Sequence, residues 1–233
     1  MPNPFLMTQE RVIVFARFPT PGQVKTRLIP ALGTDGAARL HMTLTRRTLE
    51  VARQVGSGRS CSSEVHFTGG DAPGMQNLFG NEHHYLEQQG NGLGERLEHA
   101  ASVAFGQGTK RIVVIGTDCP EMEPSILRSA FDLLLNADIV LGPAIDGGYY
   151  LIGLRTNCPE LFREIDWSTE NVLRQTLENA RRLGRSVLQL KPLSDIDVPD
   201  DLIACRHILE AFTDGLPEEL THWYASCSTR NVE

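Results

Sequence analysis

The sequence is short of the basic residues and long apolar runs that several classes of protein require. Its 233 residues carry 29 acidic and 22 basic side chains, a formal charge of −7. General binding to nucleic acid or to a membrane surface needs a basic face, so neither partner is predicted. No apolar run approaches the roughly 20 residues that cross a bilayer, and no basic, apolar leader opens the chain. We therefore expect an unexported, cytoplasmic protein.

Several familiar cofactor motifs are missing as well. The five cysteines are odd in number, widely spaced and without a C-x-x-C pair, which argues against a disulfide framework and against a zinc site. Neither the phosphate loop G-x-x-x-x-G-K-[ST] nor the dinucleotide motif G-x-G-x-x-G occurs. Any anionic ligand must therefore be held by a local arrangement of another kind.

The length and composition suit one globular core. With 233 residues, 41% of them hydrophobic, the chain can bury most of its apolar surface. Apolar strand-like runs alternate with helix-like segments, and no internal repeat or low-complexity stretch interrupts them. This continuous pattern predicts an α/β fold in a single domain over residues 1–233.

The most informative stretch is Arg111–Met122. Its residues Ile112–Ile115 are apolar without alternation, which is typical of a strand covered on both faces in the middle of a parallel sheet. Gly116 and Pro120 end this strand. Asp118 then lies just past the carboxyl end, where open α/β sheets bind their ligands. An ordinary turn or helix-capping aspartate is the alternative interpretation.

Two other acidic groups close strand-like runs in the same way. Asp146 stands in Gly-Pro-Ala-Ile-Asp-Gly-Gly, and Asp195 and Asp197 stand in Ser-Asp-Ile-Asp-Val-Pro. Carboxylates at three strand ends beside one basic loop predict a metal and phosphate site. Asp146 could be a base toward an acceptor hydroxyl, a metal ligand or a turn residue. Asp197 could instead cap a helix that starts near Pro199.

A basic loop, Arg17–Leu28, follows the first predicted strand, Arg11–Ala16. Two prolines and Gly22 make it rigid, so we expect that it needs no salt bridge to hold it. The loop concentrates three cations in an otherwise acidic protein: Arg17, Lys25 and Arg27. Three cations and Gly22 after the first strand of an α/β fold predict a cradle for a phosphate chain, in which Gly22 approaches the ligand, arginine gives bidentate contacts and lysine a point charge. A merely solvated charged loop is the alternative.

A glycine-rich segment, Gln88–Leu97, precedes a helix that is predicted to run to about Phe105. Its glycines occupy alternate positions and permit a close approach of the backbone to a ligand. Gly92 and Gly94 are therefore candidates for contact with a base or ribose, and an ordinary turn is the alternative.

The remaining segments complete the α/β pattern. Predicted strands cover Ser63–Thr68, Asp138–Leu141, Tyr149–Leu154 and Ser186–Leu190. Predicted helices cover Asp35–Val55, ended by Gly56–Gly58; about Glu123–Leu135; about Thr169–Leu183, with Ser168 as N-cap; and about Pro199–Phe212.

Four motifs together resemble a known superfamily: Phe15–Leu28, Gly116–Pro120, Gly142–Gly153 and Asp195–Leu202. They look like the uncharacterised bacterial branch of the GT-A glycosyltransferases, the nucleotide-diphospho-sugar transferase-like proteins. That branch is distantly similar to the guanylyltransferases for phospholactate and for the molybdenum cofactor. The match spans residues 11–203, and it implies a three-layer α/β sandwich with a mixed, mostly parallel, Rossmann-like sheet.

The resemblance also implies roles for individual residues. Lys25 and Arg27 match the phosphate-binding Lys-Thr-Arg-Leu loop of the phospholactate enzyme, and Asp118 matches the metal-binding aspartate after the central strand. Asp197 matches the second asparagine of the Asn-Ile-Asn-Thr-Pro-Glu-Asp-Leu ending of the molybdenum-cofactor enzymes. Arg17 departs from the lysine usual in the branch, and the proline-rich loop departs from the glycine-rich loop of sugar nucleotidyltransferases.

We therefore expect a transferase that depends on Mg²⁺ or Mn²⁺, bound by Asp118 and Asp197, with Asp118, Asp146 and Lys25 as catalytic residues. The leading expectation is nucleotidyl transfer from a nucleoside triphosphate to a small phosphorylated acceptor. Glycosyl transfer from a nucleotide sugar is the first alternative, and a nucleotide-binding module without chemistry is the second. The expected partners are a nucleotide or nucleotide-sugar donor and a small-molecule acceptor. No sequence feature identifies the base, the acceptor or the oligomeric state.

Overall fold

The computed structural model describes residues 9–56, 59–212 and 215–230, with the side chains of 228–230 excepted. Its strands are β1 (Glu10–Arg17), β2 (Cys61–Thr68), β3 (His84–Glu87), β4 (Arg111–Ile115), β5 (Ile139–Pro143), β6 (Tyr149–Leu154) and β7 (Val187–Gln189). Its α-helices are α1 (Ile29–Gly56), α2 (Ala72–Phe79), α3 (Leu93–Gly106), α4 (Pro124–Leu133), α5 (Val172–Arg182), α6 (Pro199–Ala204), α7 (Arg206–Leu209) and α8 (Glu218–Arg230). Ser57 and Gly58, predicted to end the first helix, lie outside the described residues.

The strands form one seven-stranded sheet in the order β3-β2-β1-β4-β6-β5-β7. Strand β6 runs antiparallel to its neighbours β4 and β5, and the other neighbouring pairs are parallel. Strand β4 therefore occupies the centre of the sheet, as its apolar run without alternation predicts.

Helices cover both faces of this sheet. Val12 and Val14 of β1 are fully buried in a cluster with side chains of α1, α2 and α4. Ile13, on the opposite face of the strand, is buried in a second cluster with α3 and α5. Because both faces are covered, the middle of the strand, residues 12–14, is apolar without alternation. The predicted α/β class and its mixed, mostly parallel sheet are confirmed.

A third apolar cluster packs α6, α7 and α8 against α1. It includes Leu28, at the end of the basic loop, and Ile196, which follows β7, and both side chains are fully buried. Their burial in one cluster fixes the end of the basic loop next to residues 195–197, which we call the acidic segment. Packing of this third cluster therefore helps to shape the site described below.

Helix α1 is interrupted near its start by Gly33, whose φ of 69° and ψ of 172° are not helical. The regular part of the helix follows this kink, close to the predicted start at Asp35. None of the described helices is long and apolar enough to cross a membrane.

Two helix predictions are wrong in detail. Ser168 does not cap α5, because its φ of 65° belongs to a turn, and the N-cap is Asn171. The predicted helix Pro199–Phe212 is two short helices, since Cys205 between them has a ψ of 6°. A further helix, α8, follows where the sequence supports no prediction.

Candidate functional site

The carboxyl ends of the parallel strands bring the predicted site residues to one edge of the sheet. Strands β1 and β4 are parallel neighbours, with Val14 opposite Ile115, so the basic loop and Asp118 leave the sheet side by side. Strand β6 is antiparallel, and its start therefore brings the turn with Asp146 to the same edge. After β7 the chain returns to β4, where the backbone N–H of Ile196 donates to the carbonyl of Asp118 at 2.9 Å.

Lys25 connects three of these segments. It adopts a left-handed conformation with φ 47°, and its side chain is only 4% exposed. The ammonium lies 2.7 Å from Oδ1 of Asp118 and also donates to the carbonyl of Ile196. The sequence suggests that a proline-stiffened loop needs no salt bridge to hold it. The structure corrects this expectation, because Lys25 ties the basic loop to β4 and to the acidic segment.

The charge of Lys25 controls the titration of Asp118. Burial alone would raise the pKa of this carboxyl, but the charge of Lys25, assisted by His41 and Arg17, lowers the pKa below its usual value. Asp118 is therefore ionised at neutral pH. This state is what binding of a divalent cation requires.

Arg27 and Asp197 form a second ion pair, with Nη1 and Oδ2 2.6 Å apart. Their side chains are 70% and 52% exposed, so this pair contributes little to stability, about 0–1 kcal/mol. The alternative role of Asp197 as a helix cap is wrong. Val198 is the N-cap of α6, and the carboxylate of Asp201 accepts from the backbone N–H groups of Asp197 and Val198, each at 2.8 Å. The carboxylate of Asp197 thus has no capping role.

His41 of α1 supports the end of β1. Its Nε2 lies 3.0 Å from the carbonyl oxygen of Arg17, and the side chain is buried. Burial lowers the pKa of His41, while the nearby charge of Asp118 acts in the opposite direction. Sequence reasoning missed this residue. The available signal was its position beside Leu40, on the apolar face of the predicted helix.

Asp195, one of the predicted strand-end carboxylates, pairs with Cys119, a contact that the sequence does not predict. Sγ of Cys119 donates to Oδ1 of Asp195 at 2.6 Å. Burial raises the pKa of Asp195 to about 6; Cys119 and Lys25 act in the opposite direction, whereas Asp118 and Asp146 raise it further. Burial also raises the pKa of the Cys119 thiol. The carboxylates of the three strand ends are thus close enough to influence one another.

The titration of Asp195 gives a pH prediction. Its folded pKa of about 6 exceeds the value of about 4 for an unfolded aspartate, so the folded state binds more protons between these values. The contribution of this carboxyl to the free energy of unfolding therefore falls as the pH rises from about 4 to 6. Asp195→Asn should remove this decline and, because the carboxyl is only partly buried, stabilise the protein at neutral pH by about 1–2 kcal/mol. Urea unfolding across this pH range, in the presence of a chelator, measures the effect. If the free energy of unfolding changes with pH equally in the wild type and in Asp195→Asn, the prediction is wrong.

Asp146 stands in the turn between β5 and β6. Its Oδ1 accepts from the backbone N–H of Gly148 at 2.9 Å, which is the turn role that the sequence allowed. The other oxygen has no such bond among the described contacts, so a role toward a ligand remains compatible with this geometry. Gly147 beside it has a φ of 92°, and a Cβ there would lie 2.3 Å from the carbonyl oxygen of Glu170. The turn is thus packed tightly against the start of α5.

This close packing makes Gly147→Ala strongly destabilising. Gly108 is a matched control, because its φ of 90° is nearly the same but no atom lies within 4 Å of its Cβ position. Both variants lose stability because alanine disfavours a positive φ, and only Gly147→Ala must also displace backbone atoms. We expect its free energy of unfolding to fall by about 1–3 kcal/mol more than that of Gly108→Ala. Equal losses in chemical denaturation would mean that the turn is loosely packed.

The three glycines predicted to approach a ligand have different surroundings. Gly22 is exposed and has a φ of 80°, which the turn in the basic loop requires. Gly92 caps α3 and has open space around it, but it follows β3, three strands from β4, or about 14 Å at the usual strand spacing. Gly94 is buried, and a Cβ there would lie 2.6 Å from Nε1 of Trp167. Packing against Trp167 therefore explains Gly94 without a ligand.

The described carboxylates at this edge are too few for a metal site built from protein ligands alone. Within the described ranges, no group of three or more His, Cys, Asp or Glu side chains is arranged to hold a metal ion. Mg²⁺ is commonly bound by one or two carboxylates together with waters and substrate phosphates. The predicted pair Asp118 and Asp197 would form a site of that kind rather than a cage built from protein alone.

Comparisons with known proteins identify the family and the fold. Residues 48–169, more than half of the chain, match the family described as uncharacterised proteins conserved in bacteria, DUF2064. A crystal structure from Desulfovibrio desulfuricans G20, provisionally described as a nucleotide-diphospho-sugar transferase, is 34% identical and has a TM-score of 0.78. The match covers 89% of this chain and 90% of that one. No curated protein matches the sequence.

More distant structures share the fold. A nucleotidyl transferase from Methanothermobacter is 16% identical, with a TM-score of 0.59 over 88% of this chain and 99% of that one. Glucosyl-3-phosphoglycerate synthase from Mycobacterium tuberculosis, in complex with Mn²⁺, UDP and phosphoglyceric acid, is 12% identical, with a TM-score of 0.55 over 92% and 81% of the two chains. The chain therefore belongs to the DUF2064 family, and it has the nucleotide-diphospho-sugar transferase fold that its motifs resemble.

Proposed function

We propose that this protein is a Mg²⁺- or Mn²⁺-dependent transferase that takes its donor group from an activated nucleotide. In its most specific form, the proposal is nucleotidyl transfer from a nucleoside triphosphate to a small phosphorylated acceptor. The similar structures support the transferase class, and those under 25% identity support it through the fold alone.

The observation that carries the proposal is the pairing of two cations with two carboxylates at the ligand-binding edge. Lys25 and Arg27 of the basic loop lie 2.7 Å and 2.6 Å from Asp118 and Asp197. A phosphate chain and a divalent cation need these two kinds of partner side by side. A solvated charged loop, the alternative, would not bury the side chain of Lys25 to 4% exposure.

Each residue has a distinct role in the proposed chemistry. Asp118 and Asp197 would hold the cation, and Lys25, Arg27 and Arg17 would hold phosphate oxygens. When bound, Mg²⁺ or Mn²⁺ would neutralise the charge that develops on the departing pyrophosphate. Fixed cations contribute to the same end, since they need no reorganisation during the reaction.

Asp146 and the glycines complete the proposed site. The oxygen of Asp146 that does not bond Gly148 could accept a proton from an acceptor hydroxyl, if the acceptor reacts through one. Gly22 gives the basic loop its turn. Gly92 remains a candidate for contact with the nucleoside because the space around it is open.

Glycosyl transfer from a nucleotide sugar is the second candidate. It is favoured by the relative from Desulfovibrio desulfuricans, provisionally described as a nucleotide-diphospho-sugar transferase, and by the synthase whose structure holds Mn²⁺ and UDP. Both reactions use the same cation and diphosphate contacts, but they break different bonds. Nucleotidyl transfer breaks the bond between the α-phosphorus and the pyrophosphate oxygen, whereas glycosyl transfer breaks the bond between the anomeric carbon of the sugar and the diphosphate oxygen. A nucleotide-binding module without chemistry would also need these contacts, so binding alone does not exclude it.

A panel of nucleotides and nucleotide sugars tests the shared part of the proposal. The melting temperature should rise with nucleoside triphosphates, or with nucleotide sugars, in the presence of Mn²⁺, because a ligand that binds the folded form stabilises it. The preferred base should give the largest rise. If no compound in the panel shifts the melting temperature with Mn²⁺ or Mg²⁺, the proposed function is wrong.

A further inference from the structure

Both predicted cation ligands are held by the cations that are predicted to bind phosphate. Lys25 is 2.7 Å from Asp118, and Arg27 is 2.6 Å from Asp197. Both cations are in the basic loop, and the carboxylates follow two different strands, Asp118 after β4 and Asp197 after β7. In the ligand-free protein, the phosphate-binding and cation-binding groups therefore neutralise each other.

We propose that these two ion pairs make the binding of a divalent cation and the binding of a polyphosphate depend on each other. The inference rests on the proposed function, and it describes how that site is regulated. Each ligand binds weakly alone and more tightly in the presence of the other. Such coupling is reciprocal by thermodynamic necessity.

A divalent cation that arrives alone has to compete with the protein's own cations. A cation bound at Asp118 would place a second positive charge beside the ammonium of Lys25, and the Lys25 side chain is only 4% exposed. Removing the partner of a buried charge is costly, because water cannot take the partner's place. A cation alone therefore meets a site that is already neutralised.

A polyphosphate that arrives alone meets the opposite difficulty. Its oxygens would approach Lys25 and Arg27 while the carboxylates of Asp118 and Asp197 stand next to them. Like charges at such short range repel, and each cation would have to be shared between a carboxylate and a phosphate. When both ligands arrive, the divalent cation takes the carboxylates and the phosphates take Lys25 and Arg27, so every broken pair is replaced.

The small number of protein ligands leads to the same conclusion independently. The described part of the chain offers no cluster of three side chains that could hold a metal. A cation at Asp118 and Asp197 must therefore complete its shell with waters or with phosphate oxygens. Phosphate oxygens are better ligands for the cation than waters are, so a bound polyphosphate directly increases the affinity of the site for the cation.

The two pairs differ in how easily they open, and this difference provides a test. The Arg27 and Asp197 side chains are 70% and 52% exposed, so their pair is readily exchanged with water, whereas Lys25 is enclosed. Arg27→Gln removes the cation that competes for Asp197 and keeps a side chain of similar length. It should therefore strengthen the binding of a divalent cation alone and weaken the binding of a polyphosphate. Effects of opposite sign do not follow from general damage to the fold.

Calorimetric titration of the full chain tests the coupling with Mn²⁺ and inorganic pyrophosphate as probes. Mn²⁺ is titrated alone, pyrophosphate is titrated in a chelator, and both are titrated together, with the Mn²⁺–pyrophosphate complex in solution measured in the same buffer. In the wild type, each probe should bind about tenfold more tightly or better when the other is present. Arg27→Gln should bind Mn²⁺ alone about threefold more tightly or better and should lose affinity for pyrophosphate.

Arg39→Gln is the matched control. It removes the same charge from an exposed arginine that pairs with Glu219 of α8, and neither residue belongs to the proposed site. Its Mn²⁺ affinity should equal that of the wild type. If Arg27→Gln binds Mn²⁺ no more tightly than the wild type does, the coupling is wrong and the proposed function stands. If the wild type binds neither probe, even with both present, the inference and the proposed function are both wrong.

Discussion

Replacing Lys25 with alanine is expected to weaken both the fold and the site. The variant loses the contact with Asp118 and the bond to the carbonyl of Ile196, and it leaves a partly buried carboxylate unpaired. Breaking a fully buried pair costs about 3–5 kcal/mol; since Asp118 is 46% exposed, we expect a loss of about 2–3 kcal/mol in the free energy of unfolding. Pyrophosphate binding in the presence of Mn²⁺ should weaken by more than about tenfold, or 1.4 kcal/mol.

Arg27→Ala is the control for the Lys25 variant, because it removes a cation from the same loop and from a similar ion pair. Its pair is exposed, so the free energy of unfolding should fall by less than about 1 kcal/mol. Urea denaturation in a chelator separates the two variants. If they lose the same amount of stability, Lys25 does not hold the basic loop to the centre of the sheet.

Asp118→Asn is expected to have the largest effect on turnover. The substitution preserves the shape of the side chain and removes the charge that pairs with Lys25 and that would bind the cation. Losing one electrostatic contact to a transition state typically costs about 10²–10³ in rate. We expect at least this loss, together with loss of the Mn²⁺-dependent rise in melting temperature.

Asp132→Asn is a suitable control for the Asp118 variant. Asp132 pairs with Arg59 at 2.8 Å and belongs to α4, outside the proposed site. Its turnover and its response to Mn²⁺ should match the wild type. An Asp118→Asn variant that keeps both properties would remove Asp118 from the cation site.

The parts of the fold that could be predicted are those encoded in local patterns. The run Ile112–Ile115 has no alternation because β4 lies between two helical layers, and that pattern alone predicts its central place. The turn at Asp146 was similarly readable from two following glycines. Ser168 was misleading, because a serine before a helix resembles a cap whether its backbone is extended or left-handed.

The site was less predictable because its contacts join segments that are distant in sequence. Lys25 and Asp118 were both predicted to bind ligands, but no pattern reveals that they bond each other. The same holds for Cys119 with Asp195, which are 76 positions apart. The alternation in Asp195-Ile196-Asp197 did indicate that the isoleucine is buried and that the aspartates on either side point away from it. Ile196 is indeed fully buried. Which of the two aspartates has which partner depends on the packing of the third apolar cluster.

The most direct test of the account is a turnover assay with purified protein, Mn²⁺ or Mg²⁺ and a mixture of candidate small-molecule acceptors. Nucleoside triphosphates and nucleotide sugars are supplied separately, and the released pyrophosphate or nucleoside diphosphate is measured. We predict release of pyrophosphate from a nucleoside triphosphate, dependent on the divalent cation and absent in Asp118→Asn. Release of a nucleoside diphosphate from a nucleotide sugar would contradict nucleotidyl transfer and establish the second candidate. Tight nucleotide binding with neither product, across the acceptor mixture, would contradict the central claim that the protein is a transferase.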